Sequence, residues 1–235
     1  MTTMLSRWIE PWRAKWRPVS AVLHAPPHEP GEAACVDAGV AALADWAAEH
    51  PGARLQLGLS SRWLLCAATP EATTPAEALA QARAQWAHYQ GVDESALQDA
   101  WVSLPICDAR VRLVCAAPRA LIEGLSEAAR SHRVRLEAVL PWWAHGLQRR
   151  MQAWQADSKE AVCWSWHEPG WRTCVELAPA ADASVGCLQR IWMSGPEAAQ
   201  ASRLEEVARL PDVGPLSRPR LVSDASLAPW LGAAA

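Results

Sequence analysis

Residues 111–118, VRLVCAAP, lead into PRALIEGLSEAARSHR (118–133), VRLEAVLP (134–141) and WWAHGLQRRMQAW (142–154). The first and third pieces are short apolar runs rich in valine and of strand length. The second and fourth carry the apolar spacing of amphipathic helices. A strand, a helix, a parallel strand and a second helix predict an α/β fold. The last strand ends at Pro141, where a helix begins, and α/β folds gather ligand and partner sites at that end of their strands. No catalytic motif stands near it.

Working outward, PVSAVLHA (18–25) reads as a strand and Ala33 to His50 as a helix, with Val36, Val40, Leu43 and Trp46 along one face. RLQLGLS (54–60) and RWLLCAA (62–68) predict a strand pair turning at Ser60-Ser61. Thr74 to Gln90 predicts a helix with Thr74 as N-cap, Pro75 in the first turn and Gly91 as the stop. Asp99 to Ile106 and Arg110 to Ala116 predict a second hairpin. AVCWSWH (161–167), the turn Glu168-Pro169-Gly170 and WRTCVELA (171–178) form the plainest hairpin of the chain. Ser184 to Met193 adds a strand, and Gly195-Pro196 opens a helix running to about Leu210. The tail from Pro211 is proline-rich and is expected to be loosely held.

Charged residues make up 20% of the 235 and hydrophobic residues 51%, the balance of a globular chain with ample core. A net charge of -3 argues against nucleic acid as a partner, since phosphate binding favours a basic excess. Tryptophan is used 15 times against one Tyr and no Phe, so indoles must fill core sites. Each buried N–H needs a partner, which places some of them at an interface. The seven cysteines are odd in number and irregular in spacing. Cys66, Cys107, Cys115, Cys163 and Cys174 sit in apolar runs, as free thiols in a reducing compartment do. The N-terminal segment lacks the apolar stretch of a secretory signal, and no run reaches transmembrane length.

Candidate chemistry is sparse. His24 and His28 are separated by Pro26-Pro27, which forbids the helix that would aim both at one metal. Cys163, His167 and Cys174 meet across a hairpin but lack the tight spacing of a zinc site, so no metal site is expected. Asp157, Glu160, Glu168 and Glu176 show no acid–base spacing. Gly58 ends a strand, where a turn entry is favoured over a backbone approach to phosphate. Trp8, Trp12 and Trp16 would form one helical stripe interleaved with Arg7, Arg13, Lys15 and Arg17. That pattern suits either a core helix or contact with anionic headgroups or a membrane protein's tail.

Read as an ordered series, residues 54–193 resemble the actin-like (ASKHA, actin/hexokinase-like) platform proteins of type IV pilus and type II secretion machines. These are the PilM-like proteins and the cytoplasmic part of GspL. The resemblance rests on LQLGLSSRWLLCAA as the opening hairpin of one lobe and on the 111–147 segment that follows it. AVCWSWHEPGWRTCVELA resembles the opening hairpin of a second lobe, and SVGCLQRIWMSGPEAA its continuation. ATP-binding members carry an aspartate at the first hairpin; here there is none. If ATP binds, the resemblance places it on Gly58, Ser60, Ser61, Glu168 and Gly170. The missing acid points instead to a reduced, non-catalytic platform without a cofactor.

The resemblance implies a Trp/Arg-rich segment at 1–30, a first α/β lobe at 31–158, a truncated second lobe at 159–210 and a tail at 211–235. It also implies a cytoplasmic place at the inner membrane. The partner would be an inner-membrane pilus or secretion assembly protein, with peripheral membrane contact and a dimer left open. Trp142 and Trp143 would anchor that partner together with Trp8, Trp12 and Trp16, with a place in the inter-lobe core as the alternative favoured for one of the two. Two alternatives stand beside this. One is a genuine nucleotide-binding ATPase of the same fold. The other is an unrelated α/β enzyme with a cysteine nucleophile.

Overall fold

A computed structural model describes residues 18–27, 31–69, 74–104, 113–153, 161–178, 187–194, 204–214, 216–227 and 231. The tryptophan stripe of Trp8, Trp12 and Trp16 lies outside them, as do His28, Asp157 and Glu160. The architecture is mixed α/β, with sheets flanked by helices, as the sequence leads one to expect.

The first sheet is built on β1 (Val19–His24), β2 (Arg54–Leu59) and β6 (Arg135–Pro141). All three run parallel, in the order β1-β2-β6, and Leu23, Leu59 and Pro141 come level at their carboxyl ends. Toward their carboxyl ends these strands are buried and largely apolar, as both faces are covered there. Helices α1 (Ala33–Glu49) and α4 (Arg119–Ser131) cover one face, with Val36, Leu43, Leu121 and Leu125 buried on Leu23, Leu55 and Leu57. On the other face, Val22 joins Trp142, Trp143, Trp164 and Trp166 in a second core.

β7 (Val162–Glu168) and β8 (Trp171–Ala178) form the expected hairpin, with Glu168 opposite Trp171. Its two-residue turn needs Gly170, which stands at φ 66. β9 (Cys187–Ser194) extends it as the sequence suggests. A third sheet, β3-β5-β4, joins β3 (Leu65–Ala68), β4 (Trp101–Leu104) and β5 (Leu113–Pro118). It packs under α2 (Pro75–Gln90) through Ala82 and Trp86. Thr74 and Glu77 close a capping box on α2, and Gly91 ends it in the left-handed region, both in keeping with the sequence signals. A short helix α3 (Glu94–Ala100), not expected from sequence, precedes β4. Helix α5 (Ala144–Ala153) follows Trp143 as expected.

Four expectations are corrected. β2 and β3 do not pair: a short helical turn at Ser61–Trp63, with Trp63 fully buried, sends them into different sheets. β5 and β6 are likewise in different sheets, so the helix between them does not close a strand–helix–strand unit within one sheet. The helix expected to reach Leu210 gives way to β10 (Leu204–Arg209), parallel to β7. The pairing surface offered by β7 outweighs the helical preference of LEEVAR. The tail is tied down too, since β11 (Arg220–Ser223) pairs antiparallel with β1, and Leu227 and Leu231 are buried.

Tryptophans fill core sites, as the composition leads one to expect. Trp46, Trp63, Trp86, Trp101, Trp142, Trp143, Trp164 and Trp166 are all buried. The Nε1 atoms of Trp46, Trp86 and Trp166 find no hydrogen-bond partner among the described residues. Packing area outweighs the unsatisfied N–H at those positions.

Candidate functional site

The carboxyl ends of β1, β2 and β6 converge on the turn at Ser60-Ser61. Ser60 N–H donates to Leu23 O, and Trp142 N–H donates to Leu59 O, both at 3.1 Å, so the turn and the Pro141-Trp142 corner are locked to the sheet. The β7–β8 hairpin meets them from the opposite side. Glu168 is 7% exposed, Ser60 and Ser61 are 1% exposed, and Thr173, Trp142 and Trp143 are 0% exposed.

These six side chains form one hydrogen-bonded network. Ser60 Oγ donates to Glu168 Oε2. Ser61 N–H donates to Glu168 Oε1 at 2.9 Å, and Trp142 Nε1 donates to the same oxygen at 2.8 Å. Trp143 Nε1 donates to Ser61 Oγ at 3.1 Å, and Ser61 Oγ also bonds Thr173 Oγ1. A buried carboxylate without such donors would be costly, whereas three donors hold it in place. Glu168 is thus the acceptor hub between the first sheet and the β7–β8 hairpin.

Arg62 covers the network from outside. Its guanidinium lies 4.5 Å from the Trp171 ring centroid, and Nη2 donates to Gly170 O at 3.1 Å. Burial lowers its pKa, while Glu168 pulls it back up. His24 lies at the end of β1, 2% exposed, and its Nε2 has no hydrogen-bond partner among the described residues. Burial holds His24 below the ordinary histidine value; Glu168 opposes that shift and Arg220 adds to it. Beside this floor opens a cleft of about 560 Å³, walled by Ala25, Arg62, Glu168, Gly170, Arg209 and Leu216.

Of the residues assigned to ATP by resemblance, Ser60, Ser61 and Glu168 do come together, but they bond to each other, while Gly170 O accepts from Arg62. A Cβ on Gly58 would lie 2.8 Å from Leu231 Cδ2 and 2.9 Å from Trp142 Cβ. The glycine admits the packing of Trp142 and Leu231. Trp142 and Trp143, read as partner anchors or as inter-lobe core, both lie in the interior. Sequence reasoning misses Thr173, Arg62 and His24 as members of this site; Thr173 is one of three polar residues on its strand, beside Arg172 and Glu176, and nothing local singles it out.

The cysteine–histidine grouping does not assemble. His167 Nε2 sits 3.1 Å from Ser165 Oγ and 3.5 Å from Glu206 Oε2. Among the described residues, no three His, Cys, Asp or Glu side chains gather within reach of one metal ion. None of the described helices is long and apolar enough to cross a membrane.

No family model matches the chain, and no curated protein sequence does. Solved structures similar in fold include the following three. A Bacteroides thetaiotaomicron protein with an actin-like ATPase fold and unknown function is 8% identical over 60% of this chain and 48% of its own, with a TM-score of 0.37. The PilM–PilN type IV pilus biogenesis complex gives 12% identity over 72% of this chain and 51% of the matched one, with a TM-score of 0.45. The cytoplasmic domain of EpsL, an inner-membrane component of the Vibrio cholerae type II secretion system, gives 9% identity, 83% and 79% coverage and a TM-score of 0.43. The chain spans about half the length of the first two. Likeness at this level is one of coarse topology and carries no functional argument.

Proposed function

We propose that this chain is a non-catalytic actin-like scaffold of a type IV pilus or type II secretion assembly. In this reading it stands at the cytoplasmic face of the inner membrane and receives the cytoplasmic tail of an inner-membrane partner. The family comes from the sequence resemblance. The non-catalytic character rests on one observation: the carboxylate of Glu168 already occupies the donors of Ser60 and Ser61. A phosphate arriving there would have to displace a buried carboxylate held by three hydrogen bonds, and it would meet like charge.

The cleft beside this floor is the docking place that the reading favours. Its lining carries Arg62 and Arg209 beside Glu168 and Asp212, and Arg209 is paired with Glu206; an extended tail with an acidic residue would compete with Glu206 for Arg209. Trp142 and Trp143 then support the cleft from beneath. The stripe of Trp8, Trp12 and Trp16 is assigned to the membrane or to the partner's juxtamembrane part.

The test is fluorescence anisotropy with labelled cytoplasmic tails of inner-membrane pilus and secretion assembly proteins. Saturable binding that weakens at least tenfold in Arg209→Glu supports the reading. Arg209 is 62% exposed in its side chain, so that variant should fold. Tails that bind equally well to wild type and Arg209→Glu would rule out the cleft as the docking place, and no binding by any tail would rule out the scaffold.

A further inference from the structure

Cys66 and Cys115 stand directly opposite one another on the antiparallel strands β3 and β5, between the pairs Leu65↔Ala116 and Ala67↔Val114. Their sulfurs are 2.9 Å apart, and both are free thiols. Opposed residues of an antiparallel pair have Cα atoms about 4.5–5.5 Å apart, and disulfides span about 4.4–6.8 Å between Cα atoms. Closing a bond of about 2.05 Å therefore asks only for a small side-chain rotation, with the strands unmoved.

The pair is asymmetric in a useful way. Cys66 is half-buried and so open to solvent on one side. Cys115 is 0% exposed, and burial, followed by the neighbouring Cys66 sulfur, pushes its thiol well above the ordinary range. Cys66 is thus the attacking thiolate and Cys115 the one that resolves.

We propose that Cys66 and Cys115 are a modification site that closes to a reversible intramolecular disulfide, with a small disulfide of the glutathione type as oxidant. The Cys66 thiolate attacks one sulfur of oxidised glutathione, the S–S bond breaks, and one glutathione thiolate leaves. The sulfur of Cys115 then attacks Cys66 Sγ, and its proton passes to the second glutathione as that thiolate leaves. Two protein thiols lose two electrons in all, and one glutathione disulfide becomes two thiols. The bond pins β3, the strand leaving the Ser60-Ser61 turn, to the central strand of its sheet.

A second thiol pair provides an internal control. Cys163 faces Glu176, and Cys174 faces Ser165, so the two cysteines are only diagonal neighbours. Diagonal Cα separations are about 7–8 Å, at or beyond the reach of a disulfide. Their contact is a thiol hydrogen bond.

The experiment equilibrates the full chain, folded, in glutathione buffers from reducing to oxidising, blocks free thiols with N-ethylmaleimide and maps the peptides by mass spectrometry. The expected product is a Cys66–Cys115 linked peptide that dithiothreitol reverses and that is missing in Cys66→Ser. The oxidised form should melt roughly 5 °C or more above the reduced one. Recovery of both cysteines as maleimide adducts, a lasting glutathione adduct on Cys66, or a Cys163–Cys174 link at the same ratios would overturn the assignment. The peptide map comes from the unaltered chain, so poor folding of the serine variant would leave the test intact.

Discussion

Replacing Glu168 with alanine takes away the acceptor of three buried donors at once: Ser60 Oγ, Ser61 N–H and Trp142 Nε1. Each orphaned buried donor costs about 1–3 kcal/mol, which sums to roughly 3–9 kcal/mol if the site stays dry. Glu168 also lines the open cleft, so water can reach part of the vacated space. The expected loss is therefore about 3–5 kcal/mol, the range found when one member of a buried charged network is removed. For a chain of this size that lowers Tm by roughly 10 °C. Glu168→Gln keeps one acceptor oxygen and should cost about 1–2 kcal/mol. Urea unfolding provides the assay, run as a double-mutant cycle with Trp142→Phe, which should show coupling of about 1 kcal/mol. An alanine variant within about 1 kcal/mol of wild type, or no coupling to Trp142, would refute the network as a structural hub.

Further outcomes are expected. A Cβ on Gly124 would lie 2.5 Å from Val40 Cγ2 on the facing helix, and valine is stiff there. Gly124→Ala should then destabilise by about 1–3 kcal/mol despite its better helix propensity, and Val40→Ala should restore part of the loss in the double variant. Burial lowers the pKa of His24, His145 and His167. The unfolded chain thus takes up protons first as pH falls below about 6.5, and stability held above that value declines toward the lower folded-state pKa values. Urea midpoints between pH 7.5 and 5.5 should show this slope, and it should flatten in His24→Gln. Trp8→Ala with Trp12→Ala should weaken vesicle or partner association and leave Tm within about 2 °C, as surface changes do; a large drop in Tm would assign the stripe to the core.

Where sequence and structure agree, the signals are local. The Glu168-Pro169-Gly170 turn between two alternating runs fixes the β7–β8 hairpin, and Thr74, Glu77 and Gly91 mark the ends of α2. The failures concern partners far along the chain. Nothing within LQLGLSSRWLLCAA says that β2 and β3 part into separate sheets, because strand preference is blind to which strand lies alongside. LEEVAR looks helical until β7 is present to pair with it. The site divides in the same way. Ser60, Ser61 and Glu168 can be picked out as a group, but by resemblance to a phosphate-binding pattern. Their actual relation, a carboxylate accepting from a serine 108 positions away, is a tertiary fact that no spacing encodes. Trp142 and Trp143 read as partner anchors because indoles dominate interface hot spots, with the inter-lobe core as the alternative. The hairpin that buries them lies too far along the chain for local pattern to reveal.

The central claim is that Glu168 fills the place a nucleotide phosphate would take. Isothermal calorimetry of Mg-ATP into the reduced, full-length chain tests it most directly. No saturable heat is expected up to millimolar nucleotide. A micromolar Kd with one site per chain would contradict the claim and return Ser60, Ser61 and Gly170 to the role of phosphate ligands.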